Sequence, residues 1–233
     1  MADALAKGKK PEQAKGGEDV FIASIVRFWS WIQQNLRSAL LALAGVALVV
    51  AGAVYYVNFK ATVADQAAGD LSRLRLSAAP AADLVADLQA YIQRYDGTSS
   101  ADEARLILAR MHLDADDAAS ATTVLAPIDE PVAHPIGFAA GQLRALAREQ
   151  ADDPAAALTI WRRLGRDARF GFQRRLAQSH VARLIADQGD LAGAVTILSA
   201  IAEEAAEEDL AEASVYRIRL GEIKGRLVGA GQD

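Results

Sequence analysis

The chain has 233 residues, a net charge of −5 and a hydrophobic fraction of 52%, although aromatic residues account for only 6%. Ala and Leu, which are strong helix formers, supply most of the apolar fraction, so the composition predicts an all-α protein. The absence of cysteine excludes disulfides, zinc-thiolate sites, a thiol nucleophile and a lipid-modified cysteine anchor. The acidic balance disfavours nucleic acid as a partner.

The N-terminal region divides into two segments before the first long apolar stretch. Residues 1–17 are rich in Lys, Gly, Ala and Glu and bury too little apolar surface to repay ordering, which predicts a disordered cytoplasmic tail. In residues 18–37, large apolar side chains recur at three- and four-residue steps from Phe21 to Ile32, which predicts a juxtamembrane amphipathic helix. This helix either lies in the membrane interface or extends the spanning helix that follows.

Residues 38–59 contain no charged side chain and predict a single transmembrane helix. As a helix this stretch is about 33 Å long, enough for a hydrocarbon core of about 30 Å. Basic residues outnumber acidic ones before it, so the positive-inside rule predicts a cytoplasmic N-terminus. A buried core helix and a signal peptide cleaved near Gly52 are the alternatives; the long preceding segment disfavours cleavage. Gly45 and Gly52 share one face and are candidate contacts for another membrane helix.

Residues 60–233 predict a helical domain outside the membrane. Residues 59–76 have a helical pattern that Ser77–Pro80 interrupts, and residues 82–95 form a second amphipathic pattern. The turn residues 96–100 follow, and Ser100 and Glu103 have the spacing of a capping box for the next helix.

Three segments then align without gaps, starting at Asp116, Asp152 and Gly189. Each has Asp at its second position, Ala four residues later, a large apolar residue eight residues later, and Ala eight residues before the Asp. The repeat positions are Ala109, Asp117, Ala121 and Leu125; Ala145, Asp153, Ala157 and Trp161; and Ala182, Asp190, Ala194 and Leu198.

This spacing predicts a helix hairpin repeated three times. The Asp would cap the second helix of each hairpin, and the two Ala would let paired helices approach closely. The segments resemble the tetratricopeptide repeat, which has a turn of Gly-Asp type between its helices. Gly189–Asp190 matches this turn best, whereas Asp116 and Asp152 take the place of its Gly. We therefore predict a tetratricopeptide-like helical-hairpin array. A last helix over 209–227 would close it, with Val215, Ile218 and Ile223 directed inward.

No catalytic constellation, cofactor site or metal site is predicted. His112, His134 and His180 are isolated in sequence, and no Gly-rich phosphate loop or nucleophile elbow occurs. His180 is expected to be a partly buried packing residue. The chain is accordingly expected not to be an enzyme and to have no small-molecule substrate.

Two charge clusters follow in the repeats. One is a candidate peptide-binding basic patch, for which a solvated face is the alternative; its members are Arg162, Arg163, Arg166, Arg169, Arg174 and Arg175. The other is an acidic block from Glu203 to Asp209, which lacks the ligand spacing of a calcium loop and is expected to be an exposed helix end or loop.

The layout as a whole resembles the ancillary SecYEG translocon subunit (YfgM-like) family of bacterial inner-membrane proteins. The resemblance rests on Val26–Trp29, the single span, the helix after it, the turn Tyr95–Thr98 and Ala104–Ala109. It implies a single-pass inner-membrane protein with a periplasmic repeat domain that links the Sec translocon to periplasmic chaperones during protein export. The alternative is a scaffold or assembly subunit of another bacterial inner-membrane complex.

Overall fold

The computed structural model describes residues 35–77 and 80–230. Within these ranges all regular structure is α-helical, which confirms the all-α prediction. The helices are α1 (Leu36–Leu76), α2 (Ala81–Arg94), α3 (Ser99–Asp114), α4 (Ala118–Leu125), α5 (Pro135–Gln150), α6 (Pro154–Asp167), α7 (Gly171–Asp187), α8 (Leu191–Glu208) and α9 (Leu210–Ala230). The predicted tail and nearly all of the predicted juxtamembrane helix lie outside the described residues.

The chain divides into two compact units, residues 1–61 and residues 62–233. In the first unit, α1 is long and apolar enough to cross a membrane, and the most apolar part of the helix is unburied. Tyr55 stacks on Phe59 with ring centroids 6.4 Å apart, and the Lys60 ammonium lies 5.1 Å from the Tyr56 ring centroid. Aromatic and basic side chains at this end of the apolar stretch are typical of a membrane interface. The stretch from residue 59 to 76 continues α1 rather than forming a separate helix.

The second unit is built from helix hairpins in chain order. The pairs α3–α4, α5–α6 and α7–α8 are each antiparallel neighbours, successive hairpins pack on one another, and α9 packs on α8. At the start of this unit, residues from 62 onward in α1 share a core cluster with α2 and α3. The Tyr91 hydroxyl in that cluster donates a 2.7 Å hydrogen bond to the Ala67 carbonyl oxygen.

The three predicted hairpin turns share one backbone conformation. Asp116, Asp152 and Gly189 have positive φ angles of 58°, 57° and 96°. In each turn the next residue, an Asp, donates its backbone N–H to the carbonyl five residues earlier, at 2.8–2.9 Å. This is the Schellman pattern, in which a left-handed residue ends a helix and Gly is favoured. Asp116 and Asp152 take the left-handed position because Asp tolerates it better than most residues do.

The same Asp that closes one helix begins the next. Asp117, Asp153 and Asp190 are the N-caps of α4, α6 and α8, and each carboxylate accepts the backbone N–H three residues later. One Asp therefore pairs with a carbonyl at the end of the first helix and with an N–H at the start of the second. This double role allows a short turn to connect the two helices of the hairpin.

The repeat alanines lie in the core. Ala109, Ala121, Ala145, Ala157, Ala182 and Ala194 have no exposed surface, and Leu125, Trp161 and Leu198 are also buried. Close approach extends to Gly141, where an added Cβ would lie 2.6 Å from the Leu164 side chain. These small residues permit the short distances between helices on which the array depends.

Two local predictions were wrong. The N-cap of α3 is Thr98, whose hydroxyl oxygen accepts the Ala101 N–H at 3.1 Å, so Ser100 lies inside the helix and makes no capping box. In α9, Ile223 is buried as predicted, but Val215 and Ile218 are exposed. The buried face of α9 contains Ala213 and Tyr216, one residue or more away from the predicted positions.

Candidate protein-binding site

The predicted basic patch is divided by the fold into an exposed part and a buried part. Arg162, Arg163, Arg166 and Arg169 are exposed on α6 and the loop after it. Asp167 is the acidic residue among them; it lies 2.9 Å from Arg166 and 3.8 Å from Arg163. The hydrogen bond from Arg166 lowers the pKa of the Asp167 carboxyl. The exposed part therefore retains an excess of positive charge.

Arg175 does not belong to an open patch, because its side chain is only 1% exposed. Its guanidinium reaches Glu204 at 3.1 Å, Glu208 at 2.9 Å and Glu212 at 2.6 Å. The hydrogen bond from Arg175 lowers the pKa of Glu212, and the carboxylates raise the pKa of Arg175. Since a buried guanidinium needs such partners, this cluster joins α7 to α8 and α9.

The neighbouring Arg174 is about half exposed and pairs with Glu204. The acidic block is therefore only partly the free surface that the sequence predicts. It forms the end of α8, as predicted, but Glu204 and Glu208 are the partners of the two arginines on α7.

Two exposed aromatic residues lie beside the exposed arginines, and sequence reasoning missed them. Phe170 and Phe172 are 41% and 55% exposed, and their rings stack with centroids 5.8 Å apart. The Arg169 guanidinium carbon lies 5.3 Å from the Phe170 ring centroid. The Phe-Gly-Phe sequence at the start of α7 was the available signal. We call Arg162, Arg163, Arg166, Arg169, Phe170 and Phe172 the basic-aromatic surface.

A second group of polar contacts connects the hairpins. Trp161 stacks on His180 with ring centroids 3.9 Å apart and an angle of 5°. The Trp161 indole N–H donates to Glu149 at 2.7 Å, and Glu149 also pairs with Arg183. Burial lowers the pKa of His180 to about 4, so the ring is neutral at pH 7. His180 is thus a packing residue, as the sequence predicts.

Cavities open between neighbouring helices of the array, and two of them lie in its middle and C-terminal parts. One of about 310 Å³ lies between the ends of α3 and α5, where Gln150 donates to the Leu113 carbonyl at 2.9 Å. The other, of about 210 Å³, lies among α7, α8 and α9. The first cavity lies between two hairpins and the second between the last hairpin and α9, so a segment bound in either would contact more than one structural unit of the array.

No group of three or more His, Cys, Asp or Glu residues is placed to hold a metal ion anywhere in ranges 35–77 and 80–230. His112 lies 3.7 Å from Asp117, and His134 lies 3.7 Å from Glu130, each as a single pair. In α1, a Cβ added at Gly45 or Gly52 would meet nothing within 4 Å.

Comparison with known proteins identifies the same class of fold. The model of a tetratricopeptide repeat-like domain family matches residues 29–135, somewhat less than half of the chain. Two solved structures are similar, each with a TM-score of 0.51 over 73% of this chain and 89% of the other. One is a protein described as a kinesin light chain from Podosopora anserina, with nearly identical TPR-like repeats, and it is 14% identical to this chain. The other is a single-residue variant of that protein and is 15% identical to this chain. No curated protein matches the chain.

Throughout the residues that the structure describes, the chain is therefore all-helical with tetratricopeptide-like repeats, and one helix there is long and apolar enough to cross a membrane. Folds of this kind are typically non-catalytic scaffolds that bind other proteins.

Proposed function

We propose that this chain is a non-enzymatic, membrane-anchored accessory factor of the Sec translocon that links it to periplasmic chaperones during protein export. The observation that carries a binding role is the basic-aromatic surface, an exposed cluster of arginines and stacked phenylalanines on a repeat array. The translocon as the site of action is supported by the resemblance to the ancillary SecYEG translocon subunit (YfgM-like) family.

The proposed location is the bacterial inner membrane, with the N-terminus in the cytoplasm and the array in the periplasm. The unburied apolar surface of α1 supports a membrane span, because a helix with this surface is stable only in lipid or against another apolar surface. The excess of basic residues before the span supports the orientation. In this proposal the span is not cleaved and holds the array close to translocating chains.

The chemistry of the basic-aromatic surface suits a partner with acidic and apolar side chains. Arginine and aromatic residues are enriched at protein interfaces, where aromatic rings bury large areas and a guanidinium pairs with carboxylates. Excess positive charge also accelerates association with an acidic partner, an effect that salt weakens. Arg175 contributes nothing directly, since its donors are occupied by three carboxylates.

The experiment is affinity purification of the full-length protein from solubilised membranes, followed by mass spectrometry. Translocon subunits and a periplasmic chaperone are expected in the eluate of the unmodified chain. The double variant Arg162→Glu/Arg169→Glu should reduce recovery of the chaperone at least fivefold. The control is Arg217→Glu/Lys224→Glu, which reverses two exposed charges on α9. Equal recovery with both double variants would refute the role of the basic-aromatic surface.

A scaffold subunit of another membrane complex is the second candidate, and α1 supports it. Gly45 and Gly52 are exposed with open space around them, and small residues let another membrane helix approach closely. A scaffold would co-purify with an unrelated complex in fixed ratio. Gly45→Leu/Gly52→Leu would then remove that complex, while Ala47→Leu would retain it.

A further inference from the structure

Helix α9 packs on the array with one face and leaves the other face exposed. Ala213, Tyr216 and Ile223 lie in the core cluster that α9 shares with α7 and α8. The opposite face, which we call the outer face of α9, also has large apolar side chains. They are between 46% and 71% exposed: Leu210, Val215, Ile218 and Val228. An exposed apolar face on an ordered helix indicates an interaction surface.

The outer face offers space for a second helix. Ile218 lies at its centre, directly opposite the buried side, since successive residues of a helix are rotated by about 100°. By the same rotation, Leu210 and Val228 lie on one edge of the outer face. Near this edge, a Cβ added at Gly221 or Gly225 would meet nothing within 4 Å. Another helix can therefore approach this face closely.

The charge changes sign along α9. Glu207, Glu208 and Asp209 stand immediately before the helix, so its start is acidic. Its second half is basic, because four cations outnumber one carboxylate, Glu222. The cations are Arg217, Arg219, Lys224 and Arg226. Two parallel copies of this helix would place like charges together. An antiparallel pair places the acidic start of each helix beside the basic end of the other.

Two opposite charges beside the outer face have no ionic partner. Glu222 and Arg219 are both exposed and lie on the same side of α9. Neither of them forms an ion pair within ranges 35–77 and 80–230. The guanidinium of Arg219 donates to the Ser179 hydroxyl oxygen at 3.1 Å, which orients it without neutralising it. Both charges are therefore available to a second helix.

We propose that two copies of this chain associate through the outer faces of α9, packed antiparallel around a two-fold axis. Leu210 and Val228 are each nine residues from Arg219, so helices that cross there place Leu210 of one copy against Val228 of the other. Ile218 lies beside the axis and meets its counterpart in the second copy. Glu222 of each copy is then close to Arg219 of the other. The interface is closed, because each copy contributes the same surface.

A second copy fits the outer face better than lipid does. Glu222 lies close to the centre of this face, so a bilayer would have to bury an unpaired carboxylate, whereas the antiparallel copy supplies Arg219. A pair of helices about 31 Å long buries less than the roughly 1,600 Å² of a standard interface, so the Kd should be on the order of 10 μM. The inference is independent of the proposed function, because it requires neither the translocon nor a chaperone.

Sedimentation equilibrium of the full-length protein in density-matched detergent micelles measures this association. The unmodified chain should show a monomer–dimer equilibrium, and Ile218→Arg should raise the Kd at least tenfold by placing two cations beside the axis. The control is Ala155→Arg, which adds the same charge on the exposed face of α6. A monomer at about 100 μM, tenfold above the expected Kd, would overturn the proposal. A dimer that Ile218→Arg leaves unchanged would also overturn it, since α1 would then hold the copies together.

Exchange of the two charges tests the pairing across the axis. Arg219→Glu and Glu222→Arg should each raise the Kd about fivefold, because each places like charges together at two symmetric positions. The double variant Arg219→Glu/Glu222→Arg should return the Kd to within about twofold of the unmodified chain, because it reverses the pair. Circular dichroism confirms that each variant is folded. Losses that add in the double variant would contradict the antiparallel pairing.

The absence of cysteine from the chain allows the orientation to be tested with single thiols. With copper phenanthroline as oxidant, a mixture of Leu210→Cys and Val228→Cys chains should form a disulfide-linked dimer of the two species, identified by mass spectrometry. Leu210→Cys alone should not cross-link, because its two copies are about 27 Å apart in an antiparallel pair. Cross-linking of Leu210→Cys alone would indicate a parallel pair and refute the proposal.

Lipid as the occupant of the outer face predicts a different result. Amide exchange of α9 is compared between nanodiscs of phosphatidylglycerol and nanodiscs of phosphatidylcholine, each with one copy of the full-length protein. We expect equal exchange rates in the two lipids, because the outer face is then uncovered in both. Slower exchange in phosphatidylglycerol would show that α9 binds anionic lipid and would overturn the assignment to a second copy.

Discussion

Replacing Arg175 with Met should destabilise the C-terminal part of the array strongly. Arg175 is nearly fully buried, and its guanidinium is the common partner of Glu204, Glu208 and Glu212. Met fills most of the space of the aliphatic part of arginine but leaves three carboxylates near one another without a counter-charge. The loss is therefore electrostatic rather than a loss of packing.

The magnitude follows from the exposure of the carboxylates. Removing one partner of a buried ion pair costs about 3–5 kcal/mol. Glu208 is 59% exposed and can turn toward water, whereas Glu212 is only 21% exposed. We therefore expect a loss of about 3 kcal/mol, at the lower end of that range. Arg174 is the matched control: it is the adjacent residue, 41% exposed, and pairs only with Glu204. Arg174→Met should cost less than about 1 kcal/mol.

The assay is hydrogen exchange of the full-length protein in detergent micelles, read as the free energy of opening of α7 and α8. Adding Glu204→Gln, Glu208→Gln and Glu212→Gln to Arg175→Met should restore much of the loss, because the uncompensated charges are removed. Equal effects of Arg175→Met and Arg174→Met would refute the reasoning. The pKa of Glu212 is lowered in the folded state, so its contribution is present above its ordinary pKa of 4.5 and disappears as the pH falls through the lower folded value.

Three further predictions concern urea unfolding followed by circular dichroism. Ala157→Arg should lower the unfolding free energy by several kcal/mol, roughly 3 or more, because the side chain enters a closed helix contact. Ala155→Arg, on the exposed face of α6, should change this free energy by less than about 0.5 kcal/mol. Equal effects of the two variants would contradict the repeat alignment. Asp152→Gly should raise the unfolding free energy by about 0.5 kcal/mol, because Gly adopts the positive φ angle of this position without strain, while Gly189→Ala should lower it by about 1 kcal/mol. A lower unfolding free energy of Asp152→Gly would argue against strain at that turn. Burial lowers the pKa of His180 from 6.5 to about 4, so the contribution of its neutral ring to stability is fully present only above pH 6.5. The unfolding free energy should therefore fall by up to about 2 kcal/mol between pH 7 and pH 5. His180→Phe should reduce this loss, and an unchanged pH dependence would exclude His180 as its source.

The features that the sequence predicts well are those with local causes. A helix N-cap depends on a carboxylate and an N–H three residues away, so the spacing of Asp117, Asp153 and Asp190 was sufficient to locate the starts of α4, α6 and α8. The all-α class follows equally from Ala and Leu content. The prediction of a capping box was wrong because Thr98 and Ser100 both have hydroxyls near the start of α3. Spacing alone does not say which of the two is the N-cap.

The features that the sequence does not reveal depend on contacts between distant residues. Arg175 and Glu212 are 37 residues apart in sequence, and nothing local marks one arginine in a run of six as the buried one. The inward face of α9 was misassigned because large apolar residues occur on both of its sides. The side that packs contains Ala213 and Tyr216, whereas Ile218 is exposed. Helical periodicity identifies faces but does not say which of two faces meets a neighbour.

The residues that define the repeats therefore differ from the residues that could select a partner. Asp153, Ala157 and Trp161 cap a helix or are buried, so they determine the fold and offer a partner almost no surface. Binding specificity must lie in exposed side chains that differ between repeats, because a partner contacts only what is accessible. Arg169 and Arg219 meet this condition, and neither occupies a repeat position. Resemblance at the repeat positions consequently identifies the architecture, whereas charge substitutions at exposed arginines are the experiments that can identify the partner.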